Sequence, residues 1–257
     1  MVGGRGGSYR LGRRTYRLIL AYDGTRYRGW QRLPGNALTV QGSVERALTE
    51  LFGTPIEISG SGRTDAGVHA KMQVVSFSAP EMSPQMLLPK LRNKLPEDIG
   101  ALQLDFAGDR FHARLSATQK TYVYRIWNSD APDVFERRFR VQMPQSLDIS
   151  AMREAAKLCE GTHDFLAFCA NKHFKKSSVR TLHRLEIAAD GGELRFELTA
   201  DGFLYHMARI LVGTLLEIGQ GRREASDIPA IFASRDRARA GETAPAKGLC
   251  LQEVRYD

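Results

Sequence analysis

Apolar and polar residues alternate from Thr15 to Tyr22, with Tyr16, Leu18, Leu20 and Tyr22 on one side. A period of two predicts a half-buried strand. The period becomes helical over Thr39–Phe52, where Val40, Val44, Ala47, Leu48, Leu51 and Phe52 share a face and Gly53 supplies a stop. Strands are expected again at Ile56–Ser59 and Gln73–Phe77. Ser83-Pro84 then starts a helix running to Asn93, disturbed by Pro89. Lys120–Trp127 is a strong strand with Tyr122, Tyr124 and Ile126 on one face.

The rest of the chain repeats this grammar. A helix capped by Asp148 or Ser150 reaches Cys159 and stops at Gly161. A hairpin turns at Gly191-Gly192 between Leu182–Ala189 and Glu193–Ala200, Phe203–Ile218 reads as an apolar helix, and Leu249–Tyr256 is a closing strand. Helices interleaved with strands and a hairpin predict an α+β fold, in two similar halves with mixed, largely antiparallel sheets flanked by helices. A soft boundary near Ser116 divides residues 15–115 from residues 116–257. Residues 1–14, rich in Gly and Arg, read as a flexible basic N-terminal arm.

With 257 residues, the chain can build one large domain or two small ones with proper cores. Thirty-seven Lys and Arg against 29 Asp and Glu give a net charge of +8, which favours a polyanionic partner. No apolar run approaches the roughly 18 residues of a membrane span, and the arm lacks the apolar core of a secretory signal. Cys159, Cys169 and Cys250 are odd in number and widely spaced, so neither a disulfide framework nor zinc spacing is present. The expectation is a cytoplasmic protein without metal or cofactor.

The chemistry concentrates in Ser61-Gly62-Arg63-Thr64-Asp65-Ala66-Gly67-Val68-His69-Ala70. Asp65 and Arg63 sit on a loop bracketed by Gly62 and Gly67 just past a strand, an arrangement that presents an acid to another molecule. The plain alternative is a turn in which Asp65 caps amides and Arg63 is solvated. A second feature is the stripe His206, Arg209, Gly213 and Glu217 along an otherwise apolar helix; an arginine there needs a partner. Basic clusters lie at Arg10–Arg17, at Lys172–Arg184 and at Arg222-Arg223. Lys172, Lys175 and Lys176, mixed with Phe174, are the best loop candidates for RNA contact.

The run Gly62–His69 resembles the active-site signature of the tRNA pseudouridine synthase A (TruA) family, G-R-T-D-A-G-V-H. Further segments resemble that family in the same order: Tyr22–Thr25, Gly29-Trp30-Gln31, Phe111–Arg114 with Tyr122-Val123-Tyr124, Gly161–Phe165 and Phe203–Arg209. The resemblance implies the pseudo-twofold pseudouridine synthase fold, with two sheets joined across a basic cleft. It implies a homodimeric enzyme that isomerises uridine to pseudouridine in the anticodon stem-loop of tRNA, at positions 38 to 40. Asp65 corresponds to the essential carboxylate. Arg209 corresponds to the arginine that pairs with it and keeps it ionised, Tyr122 to the tyrosine stacking on the target base, and Arg63 to an arginine linked to base flipping.

Alternatives remain open on the residues alone. Tyr124 could replace Tyr122 as the exposed ring, Glu217 could pair with Arg209, and Arg63 could contact phosphate. Ile210 departs from the asparagine that often follows the arginine in the family. An RNA-binding module without chemistry and a phosphate-binding or hydrolytic enzyme are the rival classes; the second lacks a P-loop and a Gly-x-Ser-x-Gly elbow.

Overall fold

A computed structural model describes residues 12–35, 37–171 and 176–257. The first half contains strand β1 (Arg13–Tyr22), helix α1 (Val40–Phe52), β2 (Ile58–Gly60), β3 (His69–Pro80), α2 (Pro84–Lys94) and β4 (Ile99–Phe106). The second contains β5 (Ala117–Trp127), β6 (Val141–Gln142), α3 (Ile149–Cys159), β7 (Gly161–Asp164), β8 (Val179–Asp190), β9 (Glu193–Ala200), α4 (Met207–Gly219), α5 (Asp227–Ser234) and β10 (Leu249–Tyr256). β1 begins at Arg13, so Arg13 and Arg14, assigned to the arm by composition, belong to the sheet.

Local signals explain the helices. Thr39 accepts the amide of Gly42 at the start of α1, and Gly53 closes it at φ 67°. Asp148, not Ser150, caps α3 by accepting from Ala151. Pro89 does not break α2; it lies on the exposed face, where the carbonyl it leaves unpaired can meet water. In β1, Tyr16, Leu18, Leu20 and Tyr22 point into the core, as the alternation predicts.

Each half is a β-α-β-β-α-β unit of the same topology. In the first, the strands lie in the order β4-β1-β3, with β2 on β3; in the second, in the order β10-β5-β9-β8. In both units the first strand is flanked by the third and the last. β7 extends the edge beyond β8, and β6 pairs with the end of β5.

The halves merge into one ten-stranded, mostly antiparallel sheet through a short parallel joint in which Cys250 opposes His69 and Leu251 opposes Ala70. β2 occupies a different stretch of the same edge of β3, pairing Ile58 with Phe77 and Gly60 with Val75. The segment 61–68 is therefore released where β3 changes partner from β2 to β10, at the seam between the two units.

Candidate active site

The seam loop is held by backbone and side chains from the first unit. Trp30 donates its amide to the Thr64 carbonyl at 3.0 Å. The hydroxyls of Tyr22 and Thr64 are bonded at 2.8 Å, and Gln73 Nε2 donates to the Gly62 carbonyl at 3.0 Å. A tight turn closes as the Val68 amide reaches the Asp65 carbonyl at 3.1 Å. Gly24 lets the two segments touch: a Cβ there would lie 2.0 Å from the Val68 carbonyl oxygen. His69 is locked at the loop's end, its Nδ1 accepting from the Gly24 amide at 3.0 Å and its Nε2 donating to the Arg138 carbonyl at 2.9 Å. Burial pushes its pKa down, which fits this neutral tautomer.

This frame turns Asp65 toward the N-terminus of α4. Arg209 Nη1 donates to Asp65 Oδ2 at 3.1 Å across 144 residues of sequence. The same guanidinium is fixed from behind, with Nε donating to the Ala244 carbonyl at 2.7 Å. Glu217 is not its partner. That carboxylate pairs with Arg223 and accepts the Glu242 amide at 2.8 Å. Among the described residues the partners of the Asp65 carboxylate gather on Oδ2, which leaves Oδ1 free to face a ligand.

His206 brings a second nitrogen to Asp65, with Nε2 3.4 Å from Oδ2. The helix does not begin at Phe203 as the apolar pattern suggests, because His206 takes a left-handed conformation, φ 62° and ψ 4°, and α4 starts only at Met207. Such a conformation costs a non-glycine residue about 1–2 kcal/mol, and it aims the imidazole at the loop. Burial, reinforced by Arg209 and Arg237 and opposed by Asp65, holds His206 below its ordinary pKa. The polar stripe in the sequence contains His206, but nothing in the spacing gives it a role.

Asp65 opens into a cavity of about 710 Å³, within the usual range for ligand sites. Tyr122 forms part of its wall. Its ring is 7% exposed and packs edge-on against Phe203 at 4.9 Å. Tyr124 is fully buried and spends its hydroxyl on the Pro245 carbonyl. Of the two in-line tyrosines, only Tyr122 reaches the cavity. Burial raises its phenol well above the ordinary tyrosine range, so the hydroxyl stays protonated at neutral pH.

Besides Arg209, six cations line the cavity: Arg28, Arg63, Arg114, Lys120, Lys176 and Arg180, while Asp65 is the one carboxylate among the described lining residues. Arg63 is exposed at this rim. Lys172 and Lys175 lie outside the described residues. In the Arg222-Arg223 cluster, Arg223 is committed to Glu217 and Arg222 is bonded to Gln220, which leaves that pair less available to a phosphate than the bare charge suggests. Among the described residues no group of acids, histidines and cysteines is placed to hold a metal ion, and no helix is long and apolar enough to cross a membrane.

A seam between two like-folded units, carrying a paired aspartate, an aromatic wall and a cationic rim, is an arrangement suited to a polyanion-modifying enzyme. The family model for tRNA pseudouridine synthase matches residues 18–115 and 155–257. The chain is 47% identical over 241 residues to tRNA pseudouridine synthase A of Geobacillus kaustophilus (strain HTA426), covering 93% of each. It is 47% identical to the protein of that name from Moorella thermoacetica (strain ATCC 39073 / JCM 9320), covering 93% of this chain and 98% of that one. It is 40% identical to tRNA pseudouridine synthase A 2 of Bacillus cereus (strain ZK / E33L), covering 94% and 99%. The chain therefore belongs to the tRNA pseudouridine synthase family, a family of isomerases.

Proposed function

We propose that this protein isomerises uridine to pseudouridine in the anticodon stem-loop of tRNA, at positions 38 to 40, with Asp65 as the reacting carboxylate. The observation that carries this reading is the asymmetric Asp65 carboxylate: Oδ2 is held by Arg209 at 3.1 Å, no described residue bonds Oδ1, and Asp65 lines the same cavity as Tyr122. The reaction breaks the N1–C1′ bond, turns the base, joins C5 to C1′, protonates N1 and releases the C5 proton. Nothing is oxidised or reduced. A carboxylate with one anchored and one open oxygen is suited to act on the ribose as nucleophile or base.

The remaining residues assist. A uridine drawn out of its helix loses stacking that the Tyr122 ring can replace, worth about 1–3 kcal/mol per base. Arg63 at the rim contacts the RNA as the base is extruded. Lys176 at the cavity, together with Lys172 and Lys175, binds phosphate of the docked RNA. The enzyme works as a homodimer in the cytoplasm, with no metal or cofactor.

The test is to incubate tRNA with the purified protein and map pseudouridine at single-nucleotide resolution. Product confined to positions 38 to 40 is expected. Product elsewhere would correct the target, and no product in any tRNA would overturn the assignment.

A further inference from the structure

Lys120 has no evident business in the cavity unless something negative arrives there. It lies on β5 two residues before Tyr122, so the pleat puts both side chains on the same face, and both line the cavity. Its ammonium rests over the catalytic loop, 3.5 Å from where a Cβ on Gly62 would be. The charged groups around it are Arg114, ahead of β5, and Arg180 on β8, with Arg63 and Asp65 on the loop lining the same cavity. Among the described residues no carboxylate pairs with Lys120, and residues 1–11, 36 and 172–175 contain no acid. Burial, then repulsion by Arg114 and Arg180, pushes its pKa down to about 8. A half-buried ammonium with cations for neighbours is unfavourable in the free protein.

The exposed cations at the rim can meet any phosphate of a docked RNA. Lys120 is different, because it is set inside the cavity one pleat from the proposed stacking ring. We propose that Lys120, with Arg114 and Arg180, binds the phosphodiester flanking the extruded target uridine. This rests on the uridine-isomerase reading above. The phosphate would supply the missing counter-charge, so part of the binding energy would be gained only when the nucleotide has entered.

The test uses stem-loop RNAs in which the phosphate on the 5′ or the 3′ side of the target uridine is a neutral methylphosphonate, assayed with the parent, K120M and K120R. Neutralising one of the two phosphates should lower kcat/KM of the parent about 10- to 100-fold, as expected for a charge-assisted bond. K120M should lose a similar factor on unmodified RNA and, with only Arg114 and Arg180 left on that phosphate, clearly less than the parent's factor on the methylphosphonate RNA, while K120R stays near the parent. With unmodified RNA, kcat/KM of the parent should fall as pH rises through about 8, where free Lys120 loses its proton, and K120R should not show that fall.

A parent insensitive to both neutral phosphates overturns the proposal without recourse to any variant. So does a K120M protein that melts like the parent yet still loses the full factor on the neutral RNA. If the parent forms no pseudouridine in any of these RNAs, the underlying uridine reading falls and takes this proposal with it; if it forms pseudouridine and the two losses simply multiply, only the Lys120 assignment falls.

Discussion

Replacing Arg209 with methionine keeps the length and apolar stem of the side chain and removes two bonds at once, to Asp65 Oδ2 at 3.1 Å and to the Ala244 carbonyl at 2.7 Å. Both charged side chains are largely buried, 14% and 21% exposed, so the carboxylate left behind is only partly rescued by water. Hydrogen bonds to charged groups contribute about 1.5–3 kcal/mol, and orphaning a fully buried charge costs about 3–5 kcal/mol. Partial exposure and the nearby His206 nitrogen bring the expected loss of stability to roughly 2 kcal/mol, a lowered but measurable melting temperature. The loss of rate should be larger. An unanchored Asp65 no longer presents Oδ1 in one geometry, and losing a preorganised charge interaction typically costs about 10²–10³ in turnover. Because the C5 hydrogen leaves during isomerisation, release of tritium from tRNA labelled at uridine C5 measures the step directly. Single-turnover rates should fall by that factor while tRNA affinity stays within about threefold of the parent. Single-turnover activity within about tenfold of the parent, or an affinity loss as large as the rate loss, would refute the anchoring role.

Other consequences are tested more briefly. Y122F should keep tRNA affinity because the ring remains, whereas Y122A should lose about 1–3 kcal/mol of binding; equal affinities for parent, Phe and Ala proteins would remove the stacking role. G213A should be destabilised by at least about 1–3 kcal/mol, since its Cβ would fall 1.8 Å from the Glu242 carbonyl oxygen. It should also lose activity, because residues 242–244 carry the carbonyl that fixes Arg209, and an unchanged melting temperature would contradict this. Affinity for tRNA should fall log-linearly with salt, and changing Lys172, Lys175 and Lys176 to Gln should reduce the slope by about 0.7–0.9 for each phosphate no longer neutralised. An unaltered slope would assign phosphate binding to other cations.

Much of this architecture is legible in the sequence wherever one face of an element is buried. β1, α1, β5, β9 and β10 have clean periods or clear caps, and each forms where its pattern places it. β4 escapes such a reading because its buried residues, Ile99, Ala101 and Leu104, change phase at the irregularity where β1 switches register between Ile19 and Leu20. β6, β7 and the eight-residue α5 are too short for periodicity to register. The start of α4 is hidden because a left-handed histidine leaves no mark in an apolar pattern. At the site, the pairing of Asp65 with Arg209 is implied by family resemblance alone, since no local spacing can relate residues 144 apart. Lys120 looks like an ordinary strand lysine in the sequence; only the fold reveals that its face is the inside of the cavity.

Asp65 itself offers the most direct test. D65N keeps the size of the side chain and a hydrogen-bonding oxygen for Arg209, and removes the charge and the carboxylate's capacity to act as nucleophile or base. Tritium release and tRNA affinity should be measured together for parent and D65N under single-turnover conditions. No detectable release, with affinity within about threefold and an unchanged melting temperature, is the predicted result. Release by D65N within about tenfold of the parent, less than about 1.4 kcal/mol of barrier, would contradict the claim that Asp65 is the reacting group.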